Sequence, residues 1–85
     1  MKTKRIGITK LKAGMRFFRP SYEHTVNYDK PHISVVDHVE TISNGKGMLK
    51  TTVIHHYEEG YREYGTKKFV SYGRYNGGVL VPVEE

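Results

Sequence analysis

The chain has 85 residues, 14 Lys and Arg against 9 Asp and Glu, and a formal net charge of +5. No stretch approaches the roughly 20 apolar residues of a membrane span, and no apolar segment follows the basic start as a secretory leader would require. Cysteine is absent, which excludes disulfides and thiolate metal sites. A single soluble domain of cytoplasmic type is expected, not membrane-bound. Residues 1–10 would form a basic arm or edge strand, and residues 11–83 a β-barrel.

Charge is unevenly distributed. Lys2, Lys4, Arg5, Lys10, Lys12, Arg16 and Arg19 precede the first acid, Glu23, whereas the remaining 66 residues carry seven cations and nine acids. A basic leading segment on a slightly acidic body points to an anionic partner.

In chain order, Arg5 to Thr9 reads as a short edge strand, Lys10 to Gly14 as a tight turn, and Met15 to Arg19 as a strand stopped by Pro20, which cannot donate to a ladder. Residues 20–31 read as a long loop or loose hairpin arm, the kind of segment that carries function in compact domains. His32 to Ser43 and Met48 to Tyr57 form the strongest pair, joined by Asn44-Gly45-Lys46-Gly47; Asn-Gly supplies the positive-φ residues of a tight turn. Ile33, Val35, Val39 and Ile42 do not share a parity, which predicts a bulge near Val35-Val36 or Glu40-Thr41. Leu49 and Val53 are expected to point inward. Glu58-Glu59-Gly60 turns the chain into a strand from Tyr61 to Tyr64 or Val70, with Gly65 as a kink. Ser71 to Gly78 is a turn region, and Val79 to Val81 a last strand with Pro82 at an edge.

Five or six short antiparallel strands in so short a chain favour an all-β barrel. The loop order resembles an SH3-like barrel over roughly residues 11–83, in strand and loop spacing only. The Trp-containing acidic groove of signalling SH3 domains has no counterpart, so the resemblance does not imply proline-rich peptide binding.

Five histidines raise the question of metal. A four-residue loop at 44–47 would set His38 opposite Val53 and leave His55 within diagonal reach only, poor for the convergent ligands zinc needs. Asp37 and His38 would point apart as strand neighbours. No nucleophile motif and no phosphate-loop motif is present. The expectation is therefore a non-catalytic protein with no metal and no cofactor. Lys67, Lys68, Phe69, Tyr72, Arg74 and Tyr75 interleave cations with rings, as base-stacking platforms do. The sequence thus suggests nucleic-acid binding by Lys2, Lys4, Arg5, Lys10, Lys12, Arg16 and Arg19, extended by Lys67, Lys68 and Arg74, with Tyr72 and Tyr75 for stacking. The alternative is a protein-binding accessory or inhibitor of bacterial or phage type that docks on an acidic protein surface. A homodimer through the apolar edge Val79 to Val83 is a third expectation.

Overall fold

The computed structural model describes residues 1–43, 50–71 and 78–83. The architecture is all-β, in two antiparallel sheets. Strands are β1 (Thr3–Ile6), β2 (Arg16–Phe17), β3 (Ser34–Ser43), β4 (Lys50–Glu58), β5 (Lys67–Ser71) and β6 (Val79–Pro82). β1 and β6 form one sheet, and β2-β3-β4-β5 the other. They meet at one bridge, where the Phe18 N–H donates to the Leu80 carbonyl at 2.8 Å. The barrel is not closed. Among the described residues no helix is long and apolar enough to cross a membrane.

The last strand is paired along one side and bridged at a single residue on the other. β6 pairs with β1 from Ile6↔Val79 to Thr3↔Pro82 on one side and bridges to Phe18 on the other. The first strand begins at Thr3 and ends at Ile6, earlier than expected, because Ile8–Lys10 winds into a 3-10 turn that buries Ile8. Residues 20–31 are also more regular than a loose loop. Pro20–Asn27 form a 3-10 helix, with the proline at its start, where a missing N–H costs nothing. Buried Thr25 secures it: Oγ1 donates to the Tyr22 carbonyl at 2.7 Å and accepts from the His32 N–H at 3.1 Å. One side chain thus ties this helix to the approach of β3.

β4 lies between β3 and β5, so both its edges are paired, and Val53, Ile54, His55 and His56 are buried in succession. The core face takes Ile54, which joins Ile8, Leu11, Phe17, Val36, Val79 and Val81, with Ile6, Met15 and Val39 packed against them. Val53 is buried as expected, but alternation places it on the face opposite this cluster. Leu49 and the hairpin loop 44–47 lie outside the described residues. The bulge falls at Asp37, between the pairs Val36↔His56 and His38↔His55. This adjoins Val35-Val36, the first of the two positions suggested by the broken parity. The region Tyr61 to Tyr64 is not a strand: Arg62–Tyr64 form a 3-10 turn, and the ladder resumes at Lys67.

Candidate nucleic-acid interface

Among the described residues, four grooves are linked by shared lining residues. The first, of 430 Å³, is lined by Met1, Lys4, Gly14, Met15, Arg16 and the end of β6. Gly14 also borders the second, of 320 Å³, with Val36, Asp37, Tyr57 and Arg62. Tyr57 carries the line into a third, of 240 Å³, with Glu58, Tyr61, Tyr64, Gly65 and Lys67. Glu58 and Tyr61 then border a fourth, of 360 Å³, with Lys30 and His32.

The first groove exists because β1 alternates. Lys4 lies opposite Val81 and shares its face with Ile6, whereas Arg5 lies opposite Leu80 on the other face. The turn from Lys12 to Met15 supplies its second wall: the Met15 N–H donates to the Lys12 carbonyl at 3.1 Å, and the Lys12 N–H donates to Met15 Sδ at 3.2 Å. The Lys12 backbone is thereby tied to Met15, which lines the groove that holds Lys4 and Arg16.

The expected cations do not all have the same electrostatic value. Arg16 donates from both Nε and Nη2 to Glu59 Oε2, at 3.1 and 3.0 Å. Arg5 Nη1 pairs with Glu23 Oε1 at 3.0 Å and reaches the Gly78 carbonyl. Arg19 lies over the Tyr22 ring, 4.4 Å from its centroid. Lys2, Lys4, Lys10 and Lys12 have no carboxylate at ion-pair distance among the described residues. The N-terminal lysines therefore keep their charge, and two of the arginines share theirs.

The second cationic group is divided by the strand pleat. Lys67 lies opposite His56 and reaches the tyrosine-lined groove, whereas Lys68 lies opposite His55 on the other face. Tyr72, Arg74 and Tyr75 fall outside the described residues, as does the side chain of Phe69. Among the described residues, the tyrosines at the grooves are Tyr57, Tyr61 and Tyr64, which were expected on strands. A signal was present: Gly60 and Gly65 bracket only four residues, Tyr-Arg-Glu-Tyr, too short a segment for a strand between two turn formers.

The face of the sheet opposite the core holds a polar centre whose geometry differs from the expected one. The bulge shifts the register, so His38 lies directly opposite His55, not Val53. Their rings stack at 4.0 Å with planes 13° apart. The same bulge turns Asp37 beside its neighbour, and the Asp37 carboxylate lies 2.7 Å from His38 Nδ1. Strand neighbours point apart only where the pleat is regular. Arg62 Nη2 donates to the other Asp37 oxygen at 3.2 Å, and His55 Nε2 lies 3.0 Å from Glu40 Oε2. The hydrogen bond to His38 holds the Asp37 carboxyl below its ordinary range, and that to His55 does the same for Glu40. In-plane lone pairs of two parallel rings do not converge on one point, so the stacked pair is not arranged to chelate an ion. No group of three metal-ligating side chains occurs among the described residues.

On the core face, His56 is 2% exposed and meets Phe17 edge-on at 5.6 Å. Neither ring nitrogen has a hydrogen-bond partner. Burial, and then the nearby Arg19 charge, push its pKa down to about 4, so the ring is neutral at pH 7. No family model, curated protein or solved structure matches the chain.

Proposed function

We propose that the chain is a small, non-catalytic, cytoplasmic nucleic-acid-binding module with an SH3-like arrangement of strands. The fold part of this reading is supported by the order of the elements: a long connection between β2 and β3, a β3-β4 hairpin, a short turn to β5, and β6 returning to the end of β2. The binding part rests on one observation, the linked grooves that run from Lys4 and Arg16, past Arg62 and Tyr57, to Tyr61, Tyr64 and Lys67. Cations along a groove follow a phosphate backbone, and rings along it offer faces to bases. Lys2, Lys4, Lys10 and Lys12 would provide most of the long-range attraction, because among the described residues no carboxylate pairs with them. Arg16 would contribute less while Glu59 holds it.

Fluorescence anisotropy with labelled oligonucleotides across a salt series tests this function. Affinity should fall steeply with salt, and each phosphate-contacting lysine replaced by Gln should flatten the log–log slope by about 0.7–0.9. Lys4→Gln with Lys12→Gln is the informative pair, since neither side chain supports the fold through an ion pair. No binding at low salt, or a slope unmoved by the double variant, would overturn the proposal.

A further inference from the structure

We infer that the tyrosine-lined groove takes unpaired bases, so that the ligand is a single strand and not a duplex; this rests on the nucleic-acid reading above. Tyr61 is 52% exposed and Tyr64 is 79% exposed. They are held in place by the backbone. Gly60 and Gly65 adopt φ of +87° and +85°, a region that other residues avoid. The Tyr64 N–H donates to the Tyr61 carbonyl at 3.1 Å, and the Gly65 N–H to the Arg62 carbonyl at 3.0 Å. The two ring centroids are 6.0 Å apart with planes tilted by 33°. They are therefore not stacked on each other, and both keep a face for another planar group.

Charge decides which side of a nucleic acid this groove meets. Glu58 lines it, and Glu63 sits exposed within the same 3-10 turn. A duplex presents its phosphates outward on every side and would bring them against these carboxylates. A single strand can turn its bases to the rings and its phosphates toward Lys67 on the same groove and toward Lys4 at the far end of the line. Every base has a π-face, so stacking of this kind tolerates sequence. Arg62 is occupied by Asp37 and lies 5.3 Å over the Tyr57 ring. It braces the platform.

The test uses the full chain with a labelled oligothymidylate of about twelve nucleotides and a duplex of equal length, at about 50 mM salt. The single strand should bind at least about tenfold more tightly than the duplex. Tyr61→Ala with Tyr64→Ala should weaken single-strand binding by about tenfold or more, without changing the duplex affinity or the melting temperature. Tyr61→Phe with Tyr64→Phe should restore it, because Phe keeps the π-face. Equal binding of the two oligonucleotides, with no loss in the alanine variant, would overturn this inference while leaving the cationic grooves in place. Failure of the unaltered protein to bind either oligonucleotide would instead overturn the parent reading.

Discussion

Replacement of His56 by Leu should remove most of the acid sensitivity of the fold between pH 6.5 and 4. His56 is 2% exposed, lacks a partner at both ring nitrogens, and has its pKa lowered from 6.5 to about 4. As pH falls below 6.5, the unfolded chain takes up a proton that the folded chain refuses. Stability is therefore fully present above 6.5 and is lost progressively as pH falls to about 4. At 1.36 kcal/mol per pH unit, the full loss is about 3 kcal/mol, which in a domain this small lowers the melting temperature by roughly 12–24 °C. At pH 7 the variant removes two buried unpaired nitrogens, each costing about 1–3 kcal/mol, and gives up the edge contact with Phe17, worth about 1 kcal/mol. The net should be a stabilisation of at least about 1 kcal/mol. Urea unfolding followed by circular dichroism at steps from pH 7 to 4 measures both effects. Parallel loss of stability in the two proteins over that window would refute the assignment of a buried neutral imidazole.

Three further outcomes follow from other parts of the structure. Gly78→Ala should destabilise strongly, by roughly 3 kcal/mol or more, because its Cβ would lie 2.0 Å from the Ile6 carbonyl oxygen and φ there is +69°; thermal melting checks this. Asp37 and Glu40 have lowered pKa values, chiefly from hydrogen bonds to His38 and His55, so their contribution is present above the ordinary carboxyl range and is lost as pH falls through the lowered values. Asp37→Asn with Glu40→Gln should therefore flatten the stability curve below about pH 4 and leave the His56 window unchanged. Arg16→Gln should reduce nucleic-acid affinity less than Lys4→Gln, since Arg16 already shares its charge with Glu59; equal losses by anisotropy would show that this ion pair opens on binding.

The strand content was legible because β-branched runs alternate with Gly and Pro signals, and the β3-β4 pairing because Asn44-Gly45 separates two such runs. The bulge was legible beside Val35-Val36, but the residue that carries it was not. Ile42, at even parity against the odd Ile33, Val35 and Val39, reports that a residue is inserted, but only the hydrogen-bonded partners fix where, and Asp37 is polar and leaves no mark on an apolar pattern. Everything that depends on it was therefore out of reach, including the His38–His55 stack and the Asp37–His38 contact. The strand that β6 pairs with was not legible, because its apolar character is the same whether it meets a second copy or β1. The cations of the first nineteen residues could be counted, but which of them keep their charge depends on Glu23 and Glu59, remote in sequence and near in space. Tyr61 and Tyr64 read as strand residues by propensity, which the two flanking glycines override.

The most direct measurement is an amide chemical-shift map of the protein titrated with a short single-stranded oligonucleotide. Shifts should concentrate along the linked grooves, at Lys4, Gly14 to Arg16, Tyr57, Tyr61 to Gly65 and Lys67, and should weaken as salt is raised. Shifts confined to the opposite sheet face around His38, His55 and Lys68, or none at all at low salt, would contradict a binding path along those grooves.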